Sequence, residues 1–591
     1  MKKKNILLLI LLFLISFSLA SCSTPSDNND DLDDIPGWDD FNPDDDFNPD
    51  DDFNPDGGSD SGNTEEVGFV NHTSTYDMPY VQKMSDGGKM RIVNRQQTPQ
   101  LILSALLRTD LLINADFLDE SEIEDYFAIC KETGFNTIEL SVMWSQVEPT
   151  KDNYDFSGIK YYLDYAKKYG LKINIEWYGS LVDGESLGVN VPDYIEEDPK
   201  TYPVIADLFD FANYGRCRIL DWDNPNLLER ERMALYKLMN YIYDWNHENN
   251  IYDPVVMVQL GQGADRFQRW RIESYAIKDN SGNKYSDKEA WNMVNTYINE
   301  MGRAVKYSKY KALTRSEFCE QNAVNSYVEN IAKLEFVDIV SPTYLHDLSS
   351  TKSGIKAFSD KFELMTIMNV ENWANDINHK QTLATMAMGG SGYVSYQLSC
   401  PNYFPESPNG ALYGRYNPEG TTLATKFVER NTRATDTKLI NNALMKAYIA
   451  VANAKATNFA ALGMNSLLNN KTGSDRIQKI YMENGLLLTF SNPSNSLGYA
   501  IYDGNCLYVY CTKNATLEIN NCFIPVAQSG YFGADGTWVV GGNMFALNNN
   551  KVLNMEANTL YRVRISKLGE LPTKDVLRNE GYKTVAESIR G

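Results

Sequence analysis

The chain has 591 residues, a length that predicts two or three domains. With 43% hydrophobic, 23% charged and 12% aromatic residues, it is neither a disordered nor a fibrous protein. The net charge of −23 is unevenly placed: residues 23–66 hold 15 Asp and 2 Glu and no Lys or Arg, so the remainder is only mildly acidic, and no basic patch calls for nucleic acid as a partner.

In chain order, Lys2, Lys3 and Lys4 precede an apolar run over 6–19, followed by Leu19-Ala20-Ser21-Cys22. A charged start, a short apolar core and small residues before a Cys predict an export signal over 1–22, since about 20 apolar residues are needed to span a bilayer. Leu-Ala-Ser-Cys resembles the bacterial lipobox, which implies cleavage before Cys22 and a lipid on its sulfur. A lipid anchor on Cys22, in a bacterial cell envelope and facing the outer membrane or cell surface, is the expectation.

Residues 23–66 contain Asp-Asp-Phe-Asn-Pro-Asp three times, at 39–44, 45–50 and 51–56. So acidic a repeat, with Pro in every copy, cannot bury enough surface to order itself and reads as an extended spacer. Asp52 to Gly57 with Asp60 copies the opening of a calcium-binding loop, but the twelfth position is Asn63 rather than Glu. The four His (His72, His247, His346, His379), without HExxH or CxxC, exclude a His-rich zinc site, and no metal is expected. Seven further Cys are scattered; most read as buried thiols, and a bridge among Cys506, Cys511 and Cys522 stays open.

From about residue 100, strand-like and helical patterns alternate. Apolar runs at 101–107, 135–144, 171–178, 254–260, 310–314, 336–341, 362–369 and 392–398 predict eight strands. Helical spacing falls at 120–133, 157–169, 227–246, 287–305, 323–334 and 377–386, and one more long helix is predicted over 425–454. Eight strands with intervening helices predict an α/β fold, a (β/α)8 TIM barrel over 67–460. Short alternating strands with Asn-Gly and Gly-Gly turns follow, an all-β sandwich over 461–570 that would buttress the barrel, and then a charged tail over 571–591 that packs loosely or adds a short helix.

A parallel barrel places its site at the C-terminal strand ends. Those ends are aromatic and acidic here: Trp144 to Pro149, Glu176-Trp177-Tyr178-Gly179, Tyr344 to Asp347, and Glu371-Asn372-Trp373. Aromatic faces stack on sugar rings and carboxylates bind hydroxyls, so an oligo- or polysaccharide is the expected ligand, with Trp144, Trp177, Tyr344 and Trp373 as contacts.

The run GFNTIELSVMWSQVEPTKDNYDFSGIKYYLDYAKKYGLKINIEWYGS, with Trp-x-x-x-Glu-Pro after the second strand, resembles retaining clan-A glycoside hydrolases, especially family 35 and 42 β-galactosidases. The following segment to Pro203 is similar to their Trp-Phe-Gly-Ser loop and beyond, where Asp183 lies. The resemblance implies two catalytic carboxyls. It implies Glu371, after the seventh strand, as nucleophile. Relatives carry Val-Gln-Val-Glu-Asn-Glu after strand four; this chain has Val258-Gln259-Leu260-Gly261-Gln262-Gly263-Ala264-Asp265. Gln259 and Gln262 then fall at hydroxyl-binding positions, whereas Gly263 replaces the acid. Asp265 is the expected substitute, with Glu176, Asp183 and Glu185 as alternatives. Ser104 to Arg108 also departs from the Gly-Gly-Glu-Leu type of the family. The resemblance thus implies a β-glycoside hydrolase acting with retention and without cofactor. The alternatives are a non-catalytic carbohydrate-binding lipoprotein and another polysaccharide-active barrel enzyme such as a lyase or transglycosidase.

Overall fold

Parallel strands covered on both faces are rich in apolar residues, which is why the body's strands read as largely apolar runs. The computed structural model describes residues 79–83, 90–94, 98–109, 120–180, 190–210, 215–251, 253–261, 287–319, 333–344, 365–366, 368–371, 378–396, 398–400, 411–416, 426–429, 432–464, 477–492, 496–523 and 526–589. All of them fall in one compact unit, 71–591.

Eight strands pair in parallel: β1 (Ile102–Leu107), β2 (Thr137–Met143), β3 (Lys172–Tyr178), β4 (Val255–Leu260), β5 (Leu313–Cys319), β6 (Ile339–Tyr344), β7 (Met365–Thr366 and Met368–Glu371) and β8 (Gly392–Tyr396). Each pairs with the next in chain order. β8 returns to β1, with Gly392 beside Ile102, and the ring closes. The approach at that seam is so close that a Cβ on residue 392 would lie 2.4 Å from the Ile102 carbonyl oxygen. The expected (β/α)8 barrel is present.

Helices α1 (Glu120–Glu132), α2 (Ser157–Tyr169), α3 (Pro225–Asn249) and α4 (Asp287–Tyr307) follow β1 to β4, and α5 (Asn378–Ala387) follows β7. Their limits are written locally. α2 stops where Gly170 turns left-handed at φ +61°. α3 starts where the Asn224 side chain accepts from the Asn226 and Leu227 amides, with Pro225 in the first turn. The helix expected over 323–334 lies largely outside the described residues.

The single long helix expected over 425–454 is not formed. Lys426–Glu429 is a strand, paired antiparallel with Tyr413–Tyr416, and the helix proper is α6 (Arg433–Lys446), broken at Ala447 before α7 (Tyr448–Asn453). Strand pairing and ring contacts of Phe427 with Tyr126 and Tyr413, at 5.0 and 6.3 Å, outweigh helix propensity there.

The amino-terminal end of the barrel is sealed by apolar packing. Ile102, Met257, Leu313, Ile339 and Val394 cluster with Ile92, from a small antiparallel sheet of Tyr80–Lys83, Met90–Val93 and Pro99–Gln100. Polar side chains therefore collect in the other half of the lumen.

Two antiparallel sheets follow. The strands are β9 (Phe459–Leu462), β10 (Ile477–Tyr481), β11 (Leu487–Ser491), β12 (Gly498–Tyr502), β13 (Cys506–Cys511), β14 (Ala515–Asn520), β15 (Val526–Phe532), β16 (Trp538–Val540), β17 (Val552–Met555), β18 (Leu560–Arg564) and β19 (Lys583–Thr584). One sheet runs β9-β12-β13-β18-β15-β16, the other β17-β14-β11-β10-β19. Leu488, Phe490, Leu507, Val509, Leu517, Ile519 and Val563 are buried in the shared core. The tail contributes to it: α8 (Lys574–Asn579) and Tyr582 pack on Leu487, and β19 joins the sheet edge. Cys506, Cys511 and Cys522 are free thiols, so the open question of a bridge among them closes against one. Burial pushes the Cys511 and Cys522 thiols up to about 12 and about 11, where they are unreactive at neutral pH. The sandwich sits on the barrel through α6 and α7: the Tyr499 hydroxyl donates to the Ala443 carbonyl at 2.7 Å, and the Tyr448 hydroxyl to that of Gly533 at 3.1 Å.

Candidate active site

Alternation along β2 to β5 turns Glu139, Asn174, Glu176, Gln259, Arg315 and Glu317 toward one another inside the barrel. Arg315 Nη2 donates to Glu139 Oε1 at 2.6 Å, and both side chains are fully buried. The same guanidinium donates to Gln259 Oε1. Gln259 Nε2 donates to Glu317 Oε2 at 2.8 Å and, more weakly, to Glu176 Oε1 at 3.4 Å. Asn174 Nδ2 reaches Glu139 Oε2 at 3.2 Å and Ser104 Oγ at 3.4 Å. Toward the rim, the Arg108 guanidinium lies 5.5 Å from the centre of the Tyr178 ring.

This network has three carboxyls and two guanidinium groups in a site from which water is largely excluded. Burial, followed by the neighbouring Glu139 and Glu317 carboxylates, holds the Glu176 carboxyl well above the usual carboxylate range, against the pull of Arg315 and Arg108. Burial opposes the Arg315 charge, but Glu139, Glu176 and Glu317 together outweigh it and hold the guanidinium charged. Among the described residues Glu176 Oε2 makes no hydrogen bond. Arg315 Nε and Nη1 are likewise buried without acceptors. Such atoms are polar capacity that a hydroxylated ligand can satisfy.

Trp144 and Trp177 do not present sugar platforms; both are fully buried. Trp177 neighbours the lumen residue Glu176 on β3 and so points the other way, into the helix layer, where its Nε1 donates to Glu231 Oε1 on α3 at 2.9 Å. The Ser180 amide and hydroxyl and the Tyr297 hydroxyl donate to the same carboxylate. Gly179 is required for this cradle, because a Cβ there would lie 1.6 Å from Glu231 Oε1. Burial raises the Glu231 carboxyl, offset in part by those donors. Trp144 Nε1 donates to Glu148 Oε2 at 3.1 Å, and buried Glu148 also accepts from the Asp152 amide and pairs with Arg230 of α3. The Trp-x-x-x-Glu-Pro and Trp-Tyr-Gly-Ser segments thus act as clamps that tie the β2 and β3 loops to α3.

Gln259 lies in the lumen network. Glu371 is the last residue of β7, in register with Tyr396 of β8. Tyr344 is likewise the last residue of β6. Asp183, Gln262, Asp265, Trp373 and Cys22 lie outside the described residues, as does Glu185. The sequence reading missed Glu139, Arg315 and Glu317. Their signal was present as charges at alternating positions of strand-like runs, Arg315 and Glu317 in LTRSEFC. Glu231 was also legible, as an acidic residue among Leu227, Leu228, Ala234 and Leu235 on the apolar stripe of its helix. Among the described residues no group of three or more His, Cys, Asp or Glu could hold a metal ion, and no helix is long and apolar enough to cross a membrane.

Residues 114–176, from ahead of α1 to Glu176 itself, match the model of glycoside hydrolase family 42, described as beta-galactosidase. Solved structures similar to this chain include the exo-beta-1,4-mannosidase Op5Man5 from Opitutaceae bacterium strain TAV5, at 13% identity and a TM-score of 0.41 over 61% of this chain and 62% of that one. A beta-galactosidase from the haloarchaeon Halorubrum lacusprofundi gives 9% and 0.42 over 58% of each chain. The endo-1,4-beta-mannanase of Rhizomucor miehei gives 11% and 0.40 over 62% of this chain and 99% of that one. The chain thus spans about three-fifths of the length of the first two. The similarity to glycoside hydrolases is carried in sequence by residues 114–176.

Proposed function

We propose that the chain hydrolyses β-glycosidic bonds of the β-galactoside type with retention, using Glu371 as nucleophile. The observation that supports this most is the position of Glu371 at the end of β7, on the rim of a lumen that carries a carboxyl whose protonated form is favoured and a fixed guanidinium. In the first step the Glu371 carboxylate attacks the anomeric carbon. The bond from that carbon to the leaving oxygen breaks, and the oxygen takes a proton from an acid. In the second step water attacks the same carbon, the carboxylate departs, and the water's proton returns to the acid.

Two groups compete for the acid. Asp265 lies two residues past Gly263, the position where the resemblance implies a Glu. Glu176 lies in the lumen, where burial and the neighbouring Glu139 and Glu317 carboxylates favour its protonated form. The Gly263 residue favours a second reading, a barrel that binds saccharide without cleaving it, since losing a general acid costs roughly 10²–10⁴-fold.

The test is turnover of dinitrophenyl β-glycosides by the purified full chain and by Glu371→Gln. Dinitrophenolate leaves without protonation, so the assay isolates the nucleophile from the acid. Turnover in the unaltered chain that disappears in Glu371→Gln supports hydrolysis with retention; silence across a panel of sugars supports the binding reading. A lipid on Cys22, holding the chain at the cell envelope, completes the proposal. Cys22→Ser should then shift the protein from the membrane to the soluble fraction, and an unchanged distribution would count against the anchor.

A further inference from the structure

We infer that the groove between α6 and the six-stranded sheet is a second saccharide site, for sugars that carry a carboxylate. The groove has a volume of about 470 Å³, within the range of small-ligand sites. Its aromatic wall is Tyr510, Tyr531 and Phe532, and Tyr531 is 46% exposed. An exposed tyrosine on a rigid strand offers a flat apolar face and costs little ordering entropy on binding.

The polar end of the groove is held in place before any ligand arrives. Asn558 sits in the left-handed region at φ +60°, and its amide donates to the Cys511 carbonyl at 2.8 Å. The Tyr510 hydroxyl donates to Asn558 Oδ1 at 2.8 Å, and Lys446 Nζ donates to the Asn558 carbonyl at 2.7 Å. Lys446 also lies 5.9 Å from the centre of the Tyr510 ring, and Tyr510 is stacked on Tyr499. Lys446 is half-buried, and among the described residues no carboxylate pairs with it. Burial lowers its ammonium from the usual lysine range, the direction expected where no counter-ion supports the charge. Asn442, exposed on α6, lines the same groove. A half-buried cation without a counter-ion, next to an aromatic face and two amides, is complementary to a uronic acid: ring on Tyr531, hydroxyls on the amides, carboxylate on Lys446.

The groove belongs to the α6–sandwich junction, and no lumen residue lines it. Calorimetric titration of the full chain with tetrasaccharides of galacturonic, glucuronic and mannuronic acid, each beside its methyl ester, tests the assignment. At least one acid tetrasaccharide should bind, and its ester about tenfold more weakly. Lys446→Gln should remove that preference, and Tyr531→Ala should weaken acid and ester alike by about tenfold. Glu371→Gln should change nothing in these titrations, which separates this groove from the barrel site. The inference is overturned if none of the three acids binds, if acid and ester bind equally, or if Lys446→Gln and Tyr531→Ala leave binding intact. Thermal melts of both variants, altered at surface-accessible positions, identify any loss caused by unfolding; Asn442→Ala, on the exposed face of α6, then supplies the reading.

Discussion

Replacing Arg315 by Met should be among the most destabilising single changes in the barrel. The guanidinium meets Glu139 at 2.6 Å with both side chains fully buried, and it also donates to Gln259. Met keeps most of the volume of the Arg stem, so the cavity cost is small. What changes is that Glu139 is left in a dry lumen with Asn174, at 3.2 Å, as its remaining donor among the described residues. Breaking a buried pair from one side costs about 3–5 kcal/mol, because the stranded charge keeps its desolvation penalty. Lys160–Asp164 on α2 supplies the control: its separation is also 2.6 Å, but its side chains are 56% and 40% exposed. Lys160→Met should leave stability unchanged within error, since water screens that pair. Removing both partners, Arg315→Met with Glu139→Met, should cost less than the two singles summed by at least about 2 kcal/mol. Urea unfolding of the full chain, followed by tryptophan fluorescence, measures all four variants. If Arg315→Met shifted the midpoint no further than Lys160→Met, or if the double change were additive, burial would not be the deciding factor.

Two further predictions concern neighbouring residues on β3. The Glu176 carboxyl titrates higher in the folded than in the unfolded chain, so its contribution to stability is complete below the unfolded value of about 4.3 and is lost as pH rises toward the folded one. Glu176→Gln lacks that loss, so its stability relative to the unaltered chain should grow with pH, by at most about 1.4 kcal/mol per pH unit; parallel urea midpoints across pH 5 to 8 would sink the assignment. Trp177→Phe keeps an aromatic ring but loses the indole N–H that donates to buried Glu231 and part of the packed volume, and should cost at least about 1–3 kcal/mol while saccharide affinity stays the same. A loss of affinity at unchanged stability would instead restore Trp177 as a platform.

Much of the fold was legible along the chain. Parallel strands buried on both faces appear as continuous apolar runs, and FNTIELSVMW, LKINIEWY and PVVMVQL became β2, β3 and β4. Helix ends were written by residues that tolerate the left-handed region, as at Gly134 and Gly170. The stretch 425–454 was misread because nothing local shows that Phe427 has a strand and two aromatic rings waiting for it.

The sequence by itself determined the alternation of strands and helices, the barrel class, and the presence of an acid at the end of the seventh strand. Only the tertiary structure decided which residues face the lumen. In Glu176-Trp177 the two side chains point to opposite sides of β3, and both sides are buried, so hydrophobicity cannot say which is inside. Ring closure settles it: Glu176 accepts from Gln259 on the adjacent strand β4, which itself donates to Glu317 of β5, while Trp177 meets Glu231 on a helix 54 residues further along the chain. Those contacts bring together groups far apart in sequence, and they shift the protonation of Glu176 through burial and through like charges that no local window contains.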